Sequence, residues 1–134
     1  KNTDFYERKI KMRKTHNFFS FNFRIPHFVL KGGLLMLENK FQAKLIKKLK
    51  NLYPDCTVMK TDPTYIQGIP DLLILYKNKW GSLEVKKDAK ATKQPNQEYY
   101  VGEMNKMSFS RFIYPENKDE VMDELSRHFN KKKG

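Results

Sequence analysis

Gly68-Ile69-Pro70-Asp71 sets a carboxylate at the head of Leu72-Leu73-Ile74-Leu75, an unbroken apolar run. A buried carboxylate without a partner is costly, so this position predicts a cation or a metal ion beside it. Glu84 and Lys86 follow with one residue between them. In a strand that spacing puts both side chains on one face and leaves Leu83 and Val85 on the other. If the two segments pair as a hairpin, Asp71, Glu84 and Lys86 meet at one sheet edge. Two carboxylates can hold Mg²⁺ or Mn²⁺, and a lysine beside them can orient water or oppose charge building on a phosphorane. The chemistry this predicts is phosphodiester hydrolysis. The plainer alternative is a Glu/Lys pair on an exposed strand face and an Asp that caps a turn after Pro70. Each residue taken alone fits that alternative better.

Two polar residues on helical segments point the same way. On a wheel of roughly 100° per residue, Glu38 falls on the side of Leu45 and Leu49, away from the lysines of its own segment. Gln97 shares a face with Tyr100, Val101 and Met104, which sets an amide beside the sheet. A Glu held at a helix start by the dipole and a Gln wetted by solvent explain the same positions equally well.

The elements that must carry these residues follow from periodicity. Leu37, Phe41, Leu45, Leu49 and Leu52 recur at helical spacing, with Pro54-Asp55 as the stop. Thr57 to Met59 is a short β-prone run, and Ile69 to Tyr76 a stronger one, apolar at nearly every position as in a strand covered on both faces. Lys77-Asn78-Lys79 turns the chain, and Trp80 to Lys86 returns as the antiparallel partner. Pro95 opens a helix after the polar loop 87–93. Phe109 to Tyr114 is a further strand, and a last helix opens at Pro115-Glu116 with Val121, Met122, Leu125 and Phe129 facing inward. The order is α-β-β-β-α-β-α, an α/β fold with a mixed sheet flanked by helices.

With 134 residues the chain is the size of one domain. Its 27 Lys plus Arg against 15 Asp plus Glu give +12, a charge that attracts polyanions, nucleic acid first. Lys60, Lys87, Lys90 and Lys93 are the candidates for phosphate contact, with Lys106 and Arg111 also placed around the acids. Tyr65, Trp80, Tyr99 and Tyr100 are interleaved with them, so an aromatic could stack on an unpaired base. Trp80 and Tyr100 fit a core better than a platform. The single Cys56 allows no internal disulfide and no cysteine-based zinc site, and His16, His27 and His128 show no ligand spacing. No run reaches the roughly 18 apolar residues of a spanning helix and no signal peptide is evident, which predicts a soluble cytoplasmic protein.

Residues 1–35 carry Phe and Lys/Arg without sustained period, and eight basic less two acidic residues give +6. Residues 36–134 carry nineteen less thirteen, also +6. One reading of 1–35 is a flexible basic arm; a domain over 36–130 and a basic tail over 131–134 follow. The other puts the native start at Met36, because Lys31-Gly32-Gly33 can be encoded by a purine-rich ribosome-binding sequence. Recovery of intact residues 1–35 from the native gene would sink that second hypothesis.

The Pro70-Asp71 acid followed by Glu84-Val85-Lys86 resembles the PD-(D/E)XK nuclease superfamily. More narrowly, an early helix Glu, a G-x-PD strand, an E-V-K strand and a Gln in the next helix resemble the VRR-NUC family, including its small stand-alone phage members. The likeness spans about residues 36–125. It implies a restriction-endonuclease-like core, metal binding at Glu38, Asp71, Glu84 and Val85, catalysis by Asp71, Glu84, Lys86 and Gln97, and Mg²⁺ or Mn²⁺ as cofactor. It also implies a homodimer acting on branched DNA such as a Holliday junction. The competing expectation is a catalytically inactive DNA-binding module of the same fold.

Overall fold

A computed structural model describes residues 27–132, with side chains from Gly32 onward. The proposed basic arm therefore lies largely, and the end of the basic tail wholly, outside the described residues. Internal packing divides the chain between Met36 and Leu37, and the unit from Leu37 on carries the sheet.

Helix α1 runs His27–Leu52, ten residues ahead of the start expected at Leu37. Gly32-Gly33 reads as a breaker, but a glycine inside a helix costs only about 1 kcal/mol, and no proline lies between Pro26 and Pro54 to stop the run. Strands β1 (Thr57–Lys60), β2 (Leu72–Tyr76) and β3 (Lys79–Val85) follow, then α2 (Pro95–Met107), β4 (Ser110–Ile113) and α3 (Lys118–Asn130). The expected order of elements stands. The fold is a mixed α+β arrangement with a four-stranded sheet in the order β1-β2-β3-β4. β1–β2 and β2–β3 are antiparallel, and β3–β4 is parallel because α2 carries the chain back across the sheet.

The two-residue connection Lys77-Asn78 closes the β2–β3 hairpin, with Lys77 at φ 54°. Leu72, Ile74, Leu83 and Val85 occupy one face of it and pack with Leu45, Leu49 and Tyr53 of α1 and its exit, and with Val121, Met122, Leu125 and Phe129 of α3. All four predicted inward residues of α3 are buried. The last helix begins at Lys118 rather than at Pro115, because Asn117 first closes a turn: its Oδ1 accepts the Tyr114 N–H and its Nδ2 donates to the Phe112 carbonyl. In α1 the apolar stripe meets the core only from Phe41 on. Leu37 is 55% exposed beside an open cavity and Leu52 53% exposed beside a cleft, so neither faces inward as expected.

β2 starts at Leu72, not at Ile69. Proline has no N–H for a ladder, and Gly68 turns the chain at φ 89° just before it. The loop ahead of the strand is tied down by Thr61, whose N–H donates to the Asp71 carbonyl at 3.0 Å and whose Oγ1 donates to the Pro70 carbonyl at 2.6 Å.

Candidate active site

Extending the β2–β3 register past Leu72↔Leu83 would set Asp71 opposite Glu84 and Pro70 opposite Val85. Along β3 the N–H groups of Ser82 and Lys86 turn toward β4, donating to Phe109 and Ile113. The Val85 N–H therefore turns toward Pro70, whose carbonyl accepts from Thr61 Oγ1. Asp71 Oδ2 accepts the Val85 N–H at 2.8 Å, and Glu84 Oε2 in turn accepts the Asp71 N–H at 3.2 Å. Each acid thus closes the other's strand, and both carboxylates are held at the mouth of the hairpin. The missing N–H of Pro70 leaves the Val85 carbonyl, not its N–H, without a ladder donor, so nothing in the sequence announces this exchange.

Glu84 is only 3% exposed and Lys86 7%, which excludes the alternative of a solvated Glu/Lys pair on an open strand face. The reason is the crossover: α2 covers the face that Glu84 and Lys86 share. Gln97, in the first turn of α2, joins them. Its Nε2 donates to Glu84 Oε1 at 2.6 Å, while its Oε1 accepts from Lys86 Nζ at 2.8 Å and from the Gln94 N–H at 3.0 Å. Two donors on one side fix the amide's orientation, since the flipped amide would turn its own N–H groups toward an ammonium and an N–H. Lys86 Nζ also lies 3.7 Å from Glu84 Oε1. Asp71, Glu84, Lys86 and Gln97 therefore form one hydrogen-bonded cluster.

Burial pushes the Glu84 carboxyl up to about 8, with the charge of Asp71 adding to it and Lys86 only partly opposing it. Burial also raises Asp71, held back by the Val85 N–H and by Lys86. Glu38 is half-buried on α1 and near enough for its acidity to be shaped by burial first, which raises its pKa, and then by Lys86, which lowers it. It faces the cluster, but its carboxylate does not close on the other two. Among the described residues, no three His, Cys, Asp or Glu side chains gather closely enough to hold an ion. The Val85 carbonyl points to the same strand edge as its N–H, the edge where Asp71 sits.

The lysines expected at phosphates behave differently from one another. Lys60 is exposed at the end of β1, opposite Leu72. Lys87 is half-buried and paired with Asp88 at 3.0 Å, Lys90 is exposed, and Lys93 stands over the Phe112 ring at 4.6 Å. Lys106 and Arg111 do not join the site. Lys106 pairs with Glu103, nine residues along α2 from Gln97, about 14 Å at the helical rise. Arg111 bonds Glu124 of α3 at 2.8 Å. Tyr65 is 84% exposed, Tyr99 is exposed, and Trp80 and Tyr100 are half-buried rather than core. Beyond Gln97 a cavity of about 370 Å³ is lined by amides, Gln67, Gln94 and Asn96, together with Pro63 and Pro95.

Among the described residues no helix is long and apolar enough to cross a membrane. No family model matches this chain, and no curated protein or solved structure matches it either.

Proposed function

We propose that this protein is a metal-dependent DNA endonuclease of the PD-(D/E)XK kind, with a restriction-endonuclease-like core. One observation carries the reading: a buried carboxylate, Glu84, and a half-buried one, Asp71, face each other at a hairpin mouth, bonded into one cluster with a buried lysine and a glutamine. The donor set fits a hard divalent cation. With Asp71 and Glu84 ionised against Lys86 the cluster is one negative charge in excess, half-buried Glu38 stands beside it, and all its candidate ligands are oxygens. Asp71, Glu84 and the Val85 carbonyl would hold Mg²⁺ or Mn²⁺, with Glu38 at its outer side.

Such an ion, once bound, supplies charge stabilisation at a phosphate and lowers the pKa of water. The protein's own groups do the positioning. Gln97 fixes the Lys86 ammonium through Oε1, so that its charge is already oriented when negative charge builds on a phosphate oxygen. The same amide holds Glu84 through Nε2 and so sets the distance between acid and lysine. Lys60, Lys90 and Lys93 would contact the strand on either side of the cut.

Branched DNA is the proposed substrate, and a homodimer the proposed assembly, since two strands must then be cut. Labelled four-way junction, flap and linear duplex, each with Mg²⁺ or Mn²⁺, test this. Wild type cuts at least one of them; Asp71→Ala and Lys86→Ala cut about 100-fold more slowly or not at all. The second reading, a catalytically inactive DNA-binding module, is favoured by the carboxylates' engagement with backbone N–H groups and the Gln97 amide, which occupies oxygens an ion would use. Binding without metal-stimulated cutting, unchanged in both variants, establishes that second reading.

A further inference from the structure

A second cavity, of about 440 Å³, opens where α1, Lys87 and the turn into α3 meet. Its floor is apolar, with Phe41, Leu45 and Pro115, and the side chains of Lys40, Lys44, Lys48, Lys87 and Lys118 stand around it. No acid lines it. Lys87 is paired with Asp88, and Lys48 and Lys118 lie 3.6 and 3.9 Å from Asp119. Five lysines less those two acids leave +3 at the rim. On the sequence Lys40 and Lys44 lie off the apolar stripe of α1; the cavity is formed only when Lys87 and Lys118 arrive from distant parts of the chain.

The cavity lies beside the candidate active site, since Glu38 is within reach of the charges of both Lys86 and Lys87. Lys87 follows Lys86 directly, and Glu38 lies on α1 between Leu37 and Lys40, both of which line the cavity. Its volume falls within the roughly 300–1,000 Å³ of ligand cavities. A ligand that uses the whole site must be anionic outside and flat and apolar inside. A duplex presents phosphates but keeps its bases stacked, and would leave the Phe41 floor unused. We propose that this cavity takes an unpaired nucleotide of a DNA strand, its base against Phe41 and its flanking phosphates on the lysines. The neighbouring phosphodiester is then delivered to Lys86. The proposal rests on the nuclease reading and sharpens it: the site prefers a strand with an unpaired nucleotide next to the cut.

Binding of a labelled short oligothymidine strand, followed by fluorescence anisotropy in chelator, tests it without cleavage. Wild type is compared with the double variant Lys40→Gln, Lys44→Gln, whose residues are exposed, and with Phe41→Leu, which keeps an apolar side chain against the core. The slope of log affinity against log salt becomes shallower by about 1.4 in the double variant, for two contacts of about 0.7 each on a single strand. An abasic strand binds wild type about 5-fold or more weakly than the intact strand, and in Phe41→Leu that ratio falls toward one. An unchanged slope or an unchanged ratio overturns the proposal. So does lysine-dependent binding to phosphatidylglycerol vesicles with oligonucleotide binding intact. A separate cleavage assay keeps the two readings apart. Cutting with these binding results unmoved removes the cavity alone; the expected binding without cutting removes the nuclease and leaves the cavity standing.

Discussion

Gly68 is the residue on which the placement of Asp71 depends most directly. It stands at φ 89°, and a Cβ built there would lie 2.5 Å from Asn96 Cβ and 2.7 Å from the Asn96 carbonyl carbon. The second contact is to backbone in the first turn of α2, so no rotamer change relieves it. A left-handed conformation costs an L-residue roughly 1–2 kcal/mol, and overpacking typically adds about 1–3 kcal/mol. Gly68→Ala is therefore expected to lose about 2–5 kcal/mol, a fall in Tm of roughly 8 °C or more for a domain of this size. Gly68→Asn separates the two causes. Asn tolerates the left-handed region far better than Ala but carries the same Cβ, so if overlap with Asn96 dominates, the two variants fall together to within about 1 kcal/mol. Because the loop must shift, and Asp71 is three residues on, Mn²⁺-stimulated cleavage should drop in both variants even well below their melting temperatures. Chemical denaturation checks the stability. A loss below about 0.5 kcal/mol for either variant, the range of an ordinary surface change, would refute the reasoning.

Three further outcomes are expected. Glu84 holds its proton up to about pH 8 when folded and to about 4.5 when unfolded, so its contribution is fully present below about pH 4.5 and is lost as pH rises through 8. In chelator, denaturation midpoints should fall across that window by an amount worth a few kcal/mol, and Glu84→Gln should flatten the slope; a flat wild-type profile contradicts the burial argument. Gln97→Ala leaves Glu84 and Lys86 each short of a charged hydrogen bond, for a loss of about 2–4 kcal/mol by urea denaturation and slower cutting at unchanged substrate affinity. Lys79 Nζ donates to the His128 and Phe129 carbonyls at the end of α3, so Lys79→Met should cost about 1 kcal/mol by the same assay while leaving cleavage unchanged.

What the sequence discloses and what it withholds divide along the range of the interactions. The face of α3 is legible because Val121, Met122, Leu125 and Phe129 repeat at the helical period against a charged background. The meeting of Asp71 with Glu84 and Lys86 is legible because a short turn must return the chain antiparallel, although Lys79, read as part of that turn, already belongs to β3. Whether their shared face is covered is not, since alternation along β3 carries no record of α2 crossing over it. The start of β2 is obscured because an apolar run continues through Ile69, while the ladder stops for want of an N–H on Pro70. Arg111 looks like a phosphate ligand until Glu124, thirteen residues away, arrives from α3. Lys40 and Lys44 look like solvent-facing charge for the same kind of reason.

The charge balance of the cluster bears on why it exists. A chain with 27 basic and 15 acidic residues has no shortage of cations with which to neutralise a buried carboxylate. A cluster serving stability alone would be expected to approach neutrality, because an uncompensated buried charge costs several kcal/mol. Here Asp71 and Glu84 face the ammonium of Lys86, and Glu38 beside them is eased by Lys86 and by Lys87, which is also paired with Asp88. A proton kept on Glu84 relieves the excess of negative charge; burial is the main cause of its raised pKa and the charge of Asp71 adds to it. A proton held that way is exchangeable for another positive charge. A divalent ion and the proton then compete for the same oxygens, so metal affinity should rise with pH over the window in which metal-free stability falls. The pH dependence of stability and that of metal affinity would then be opposite sides of one arrangement, which is what the proposed metal-dependent site predicts and a structural cluster does not.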